Sequence, residues 1–404
     1  MSGQPPLFSV VIPTRNRAHL LRYALRSALE QTFDDYEVVV SDNHCEDDTP
    51  QVVRELATSR VRYVRTDRAL SMPDHWEFAL DHARGEYITY LCDDDAVSPG
   101  LLREMAGIIA ARGSVLLMSP CVQYFAPAWS EGAWSELRNA VTIPPCSGET
   151  KEYDARSTLR GLFGCDASFL TPRMLNSFCR RDVVSGVRKE AGRIFLLSPD
   201  YSFAAMILTG VDRWALVDRP LRLHGVFPES IGASYAHNRA GASREFLREL
   251  GQASALTRVP LSISVVANFI AETLLRAKER LPSRLRDFDI DWVRYFTVCW
   301  ELLLSYERAG VSVEAEKLEF HRVLARQPAQ LRSAVLAAIA PSGIRRLRHT
   351  ARRMINASPL LTRLEGLVRR RKRGGGLLIV HGDEGGFSNI LECARKLHVL
   401  SAKT

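Results

Sequence analysis

The sequence has no Cys-x-x-Cys pair; its eight cysteines are scattered at positions 45, 92, 121, 146, 165, 179, 299 and 393. Such scatter argues against a structural zinc site and against a disulfide scaffold. No apolar run approaches the ~20 residues that a membrane-spanning helix needs. The opening Met1–Pro6 has neither a basic n-region nor an apolar h-region, so no signal peptide is expected. No internal repeat is found. These absences together imply a reduced, cytoplasmic protein.

What is present is ordinary in bulk and uneven in detail. With 404 residues, the chain exceeds the ~250–300 at which single cores stop growing. Hydrophobic residues make up 46% and charged residues 25%, as in soluble globular proteins. The net charge of +8 is concentrated between Ile344 and Arg373, where eleven Lys or Arg face one acid, Glu365. That segment outweighs the whole-chain excess, so the rest of the chain is slightly acidic and the high pI says little about an active site.

The first hundred residues alternate strand and helix patterns. Strands are expected at Phe8–Ile12, Tyr36–Val40, Val61–Val64 and Glu86–Leu91. Helices are expected at Ala18–Gln31, Thr49–Leu56 (capped by Thr49, with Pro50 at its first position) and Asp74–Ala83. A further helix, Leu101–Ala111, and strand, Val115–Met118, follow. This order implies an α/β fold with a mostly parallel sheet flanked by helices. Ligands of such sheets bind beyond the carboxyl ends of the strands. The Pro-, Trp- and Ser-rich stretch Gln123–Gly148 reads as irregular, and helical periodicity dominates from about Ser243 to Ala340. The expected organisation is a catalytic domain over 1–240, a helical region over 241–343, the basic segment 344–373 and a short βα-like tail over 374–404.

Polar groups gather where the strands end. The first strand runs into Pro13-Thr14-Arg15-Asn16-Arg17 and the second into Ser41-Asp42-Asn43. Arg65 and Arg68 follow the third strand, and Asp93-Asp94-Asp95 follow the fourth. Three adjacent carboxylates repel one another and need a counter-charge. A hard divalent cation that also holds substrate phosphates is one, and a solvated acidic turn is the plainer reading.

The segments Val10–Asn16, Glu37–Asn43 with Glu46–Thr49, and Gly85–Asp95 with Pro99 resemble the family 2 glycosyltransferases of the GT-A fold. The resemblance is close over residues 7–102 and looser to about 240. It implies inverting transfer of a sugar from a nucleoside-diphosphate donor to an acceptor hydroxyl, with Mn²⁺ or Mg²⁺ as cofactor. The acceptor class it implies is a glycan, a polysaccharide or a lipid-linked saccharide. By the same resemblance Pro13, Thr14 and Arg15 line the nucleobase and ribose pocket, Asp42 accepts from the base, and Arg68 contacts the nucleotide. Asp93 lies on the ribose side, and Asp94 and His224 hold the metal. Asp95 supports them. His75 stands where many relatives carry Asn, and Cys92 where many carry Asp.

The same resemblance places the general base at Asp200, in Ser198-Pro199-Asp200-Tyr201; the helix dipole alone also favours an acid there. Asp166, in the Gly-containing segment Phe163–Ser168 expected to border the acceptor, is a rival acid. Trp129 and Trp134 suit either a sugar face or a core. Two other readings are a sugar-phosphate nucleotidyltransferase, which would carry glycine in the loop after the first strand, and a non-catalytic nucleotide-sugar binding module. Segment 344–373 reads as a basic amphipathic helix that contacts an anionic membrane or as a solvated linker. Nucleic-acid binding is not expected, because no recognition motif accompanies the charge.

Overall fold

Successive side chains of a strand point to opposite faces, and the first strands bury both. Val11 and Val39 enter one hydrophobic cluster, while Val10, Ile12, Val38 and Val40 enter another. The computed structural model describes residues 4–129, 134–166, 170–230, 256–308, 310–340 and 377–401. Its first elements are β1 (Phe8–Thr14), α1 (Ala18–Leu29), β2 (Tyr36–Asp42), α2 (Thr49–Glu55), β3 (Val61–Arg65), α3 (Met72–Asp81) and β4 (Tyr87–Tyr90). They follow the expected alternation within a few residues. Thr49 is the first helical residue of α2 rather than its cap: Asp48 precedes the helix, and Asp47 Oδ1 accepts from the Thr49 amide (3.1 Å) and hydroxyl (2.6 Å).

Next come β5 (Ala96–Val97), α4 (Leu101–Arg112), β6 (Leu116–Met118), β7 (Cys121–Phe125), β8 (Ala140–Ile143), β9 (Thr150–Asp154) and α5 (Ala155–Phe163). They are followed by β10 (Ser177–Arg180), α6 (Arg181–Ala191), α7 (Pro199–Ile207), β11 (Arg213–Val217) and β12 (Arg222–Val226). The main sheet has the order β3-β2-β1-β4-β10-β6-β11-β9. Its first four strands are parallel, and β10 runs antiparallel to both of its neighbours. The expected α/β class with a mostly parallel sheet is therefore present.

A second sheet was not expected. Its order is β13-β8-β7-β12-β5, where β13 (Leu378–His381) comes from the C-terminal tail and pairs antiparallel with β8. The stretch Gln123–Gly148 thus holds most of β7 and all of β8 rather than irregular chain. The last helix, Ile390–Ser401, packs over this sheet, and Leu397 and Leu400 join a buried cluster with Leu20 of α1 and Tyr124 of β7. The tail is part of the N-terminal body.

The helical region is present as Val266–Arg280, Trp292–Arg308, Glu314–Ala325 and Ala329–Ile339. Its buried side chains, among them Phe296, Phe320 and Val335, share one continuous cluster with Val11, Trp76 and Leu116 of the α/β part. The expected boundary near residue 240 and the basic segment 344–373 lie outside the described residues. No helix among the described residues is long and apolar enough to cross a membrane.

Candidate functional site

The acid triplet sits where the chain passes from one sheet to the other. β4 ends at Tyr90 in the main sheet, and β5 begins at Ala96 in the second. Asp93, Asp94 and Asp95 form the crossing, with relative exposures of 5%, 7% and 4%. Burying three carboxylates is costly unless each is paired or holds a cation, and their partners are specific. Thr14 Oγ1 donates to Asp93 (2.8 Å). The Arg17 guanidinium reaches Asp93 (3.2 Å) and Asp94 (3.5 Å). The Ser230 hydroxyl donates to Asp94 (2.6 Å). Asp95 receives the Gly225 amide (2.9 Å) and lies 3.1 Å from His224 Nδ1.

The contact with β12 explains a glycine. β12 pairs with β5 immediately after the triplet, bringing the backbone of residue 225 against the acid turn. A Cβ on Gly225 would lie 1.7 Å from the carbonyl oxygen of Asp94, so no other residue fits without displacing that turn.

One strand over, Asp42 ends β2 in register with Thr14 of β1. It is fully buried and its carboxylate accepts from the Tyr63 hydroxyl and, at 2.6 Å, from the Cys45 amide. The cation beside it is Arg65, at 3.8 Å. Arg68 is exposed and acts electrostatically on Asp74 instead. Pro13 is buried in β1, and Arg15 is half-buried, with its charge felt by His75. His75 is itself buried against Ser41 Oγ (2.9 Å); burial lowers its pKa to about 4, so the ring is neutral.

Asp200 opens α7, as expected, after Pro199. The Leu175 amide donates to it (3.3 Å), and Arg173 lies 3.7 Å away. Burial raises its pKa and outweighs the lowering by Arg173, the Leu175 amide and His224. His224 and Asp95 lie within electrostatic reach of Asp200, so the candidate base lies near the triplet. Burial alone would lower the His224 pKa, but Asp95 and then Asp94 raise it overall. Burial also raises Asp93, with Arg17 opposing and Asp94 adding to the rise.

A buried cation ties these parts together. Arg222 of β12 is 2% exposed and donates to the carbonyls of Tyr90 (3.3 Å) and Leu175 (3.2 Å) and to Thr89 Oγ1 (2.6 Å). It thereby links the strand before the triplet to the turn that holds Asp200.

Cys92, Asp94 and Asp95 each offer a ligand atom, and these atoms lie within 4.8 Å of one another. Two carboxylates this close suit a hard divalent cation. With Nδ1 engaged by Asp95, His224 has only Nε2 left as a ligand atom, and Asp95 orients the ring.

The expected residues Thr14, Asp42, Asp93, Asp94, Asp200 and His224 are thus brought to one edge of the sheet. Asp166 is paired with Arg294 of the Trp292–Arg308 helix (3.1 Å). Ser168, at the end of its segment, lies outside the described residues. Trp129 and Trp134 are buried edge-to-face against each other at 4.7 Å, and Trp129 Nε1 donates to the Val226 carbonyl, so they serve packing. Sequence reasoning gave no role to Arg17, Tyr63, Arg173, Arg222, Gly225 and Ser230. Arg17 and Tyr63 flank motif positions, but the other four are placed by contacts across the fold.

Residues 9–156 match the family described as Glycosyl transferase family 2. A GalNAc(5)-diNAcBac-PP-undecaprenol beta-1,3-glucosyltransferase of Campylobacter jejuni is 39% identical over 100 residues, 24% of this chain and 32% of the relative. The Escherichia coli UDP-Glc:alpha-D-GlcNAc-diphosphoundecaprenol beta-1,3-glucosyltransferase WfgD is 30% identical over 89 residues, 22% of this chain and 35% of the relative. The matched region spans about a third of the length of these curated relatives. Among solved structures, residues 1–349 of S. aureus TarS with UDP-GlcNAc align over 82% of this chain and 90% of that one. The identity is 17% and the TM-score 0.47. The loops that carry Thr14, Asp42 and the acid triplet all fall inside the matched region, so residues 9–156 are the part of the chain that is similar to glycosyltransferase family 2.

Proposed function

We propose that this chain transfers a sugar from a nucleoside-diphosphate donor to an acceptor hydroxyl, with inversion at the anomeric carbon. The observation that carries this reading is the gathering of Asp42, the acid triplet and Asp200 at one edge of the main sheet. Asp42 and Tyr63 face the nucleobase. Thr14 and Asp93 hold the ribose side, with Pro13 and Arg15 shaping the loop and Arg68 available at its rim. Asp94 and Asp95, with Cys92 and His224 beside them, hold a divalent cation, Mn²⁺ or Mg²⁺. When bound, that cation offsets the charge that builds on the departing diphosphate.

Asp200 accepts the proton of the acceptor hydroxyl as that oxygen bonds to the anomeric carbon. The bond from that carbon to the diphosphate oxygen breaks, and its electron pair leaves with the nucleoside diphosphate. Arg173 and the Leu175 amide aim the Asp200 carboxylate, and its raised pKa makes it a better base than an exposed carboxylate. The names of the two similar transferases favour a diphospholipid-linked saccharide as acceptor. Contact of segment 344–373 with anionic lipid would bring the protein to a membrane that holds such a substrate.

Asp200→Asn tests the reading. It retains nucleoside-diphosphate binding in calorimetry but loses at least about two orders of magnitude in turnover. Near-normal turnover in that variant removes Asp200 as the base.

A further inference from the structure

Arg17 occupies an unusual position. It is the residue before α1, at the positive end of a helix dipole, where a cation is disfavoured. Its guanidinium nevertheless bridges the acid triplet and the chain after β12: one nitrogen lies 3.2 Å from Asp93 and 3.5 Å from Asp94, and the other donates to the Glu229 carbonyl at 2.8 Å. The Asp94 oxygen it approaches also takes the Ser230 hydroxyl. That carboxylate, the acid read above as the metal ligand, is thus already engaged by a cation and a hydroxyl from the protein itself.

We propose that Arg17 is an exchangeable counter-ion. It neutralises Asp93 and Asp94 while the cleft lacks donor, and it moves onto the donor's diphosphate when a divalent cation takes Asp94. The proposal rests on the reading of Asp94 as a metal ligand. A guanidinium and a dication on one carboxylate repel each other, so a metal entering alone must push Arg17 off Asp94 and leave its charge shared with Asp93 only. A diphosphate supplies the missing partner, because its oxygens match the planar fork of donors. Metal and nucleotide therefore bind cooperatively, each weakly without the other, and the cleft discriminates against free metal ions.

Calorimetric titration of the full chain with Mn²⁺ alone, and then with Mn²⁺ in the presence of UDP or GDP, tests this. In the wild type the better of the two nucleotides tightens Mn²⁺ binding by about tenfold or more. Arg17→Gln binds Mn²⁺ alone about tenfold more tightly than the wild type, and the help given by nucleotide falls by a similar factor. Arg17→Met, which keeps the aliphatic stem, behaves the same way, and near-ultraviolet circular dichroism checks that both variants fold. Unchanged or weaker Mn²⁺ binding in a folded variant overturns the proposal. If neither variant folds, the wild-type titrations decide, because independent binding of metal and nucleotide also overturns it. The Mn²⁺-only arm does not depend on transfer chemistry, so its failure is distinguishable from failure of the Asp200 test.

Discussion

At the scale of single residues, the site works by setting burial against charge. Asp200 is buried enough to be raised, yet Arg173 at 3.7 Å pulls it back. Removing that cation leaves burial less opposed and raises the carboxyl further. The base must be ionised, so activity falls as pH drops through its pKa. In Arg173→Gln the acidic limb of the kcat/KM profile accordingly moves to higher pH; a limb that stays in place, or moves down, separates Arg173 from Asp200. His75 shows the same balance in stability. Its folded pKa, about 4, lies below the ordinary histidine value of 6.5, so the unfolded chain binds the extra proton. The neutral ring therefore contributes full stability above about pH 6.5, and this is lost as pH falls towards 4, a window worth up to about 3 kcal/mol. His75→Asn, which keeps a polar group near Ser41, flattens this window in urea melts taken between pH 7 and pH 4.

At the scale of elements, the acid turn is gripped between β4 and β5 and backed by β12. The Gly225 contact makes that grip testable. Gly225→Ala forces the Asp94 carbonyl or β12 to move and costs roughly 3 kcal/mol or more. Both the thermal midpoint and metal-dependent nucleotide binding fall, whereas binding that survives intact would mean the turn adapts. The same elements mark how far the sequence could be read. β1 to β4 announce themselves through β-branched runs closed by Pro13, Asp42, Arg65 and Cys92, and the loops that follow carry the acids. β5 has only two residues, and β7 and β8 lie in a stretch whose Pro, Trp and Ser content mimics a loop. Their strand character comes from pairing with β12 and β13, which lie far along the chain. Arg17 was visible as part of a loop motif, but its aim across the cleft depends on the crossing between two sheets, and periodicity carries no trace of that.

At the scale of the whole molecule, the compositional change near residue 240 does not divide the packing. Phe296 and Phe320 share a buried cluster with Val11 of the first strand, so the helices complete the core of the α/β part. The tail was harder to read because a four-residue strand gains its meaning only from the partner it finds. Once β13 lies on β8, and Arg395 pairs with Glu30 at the end of α1, the end of the chain is stitched to its beginning. The arginine-rich stretch between residues 340 and 377 is therefore no dangling appendage but a bridge with both feet planted in the same body. Wherever trypsin cuts it, the severed pieces should travel together through gel filtration under native conditions and part only in denaturant. A clipped tail that elutes by itself would mean the stitching is too weak to matter. If it holds, a break anywhere in that stretch leaves two polypeptides that still behave as one particle.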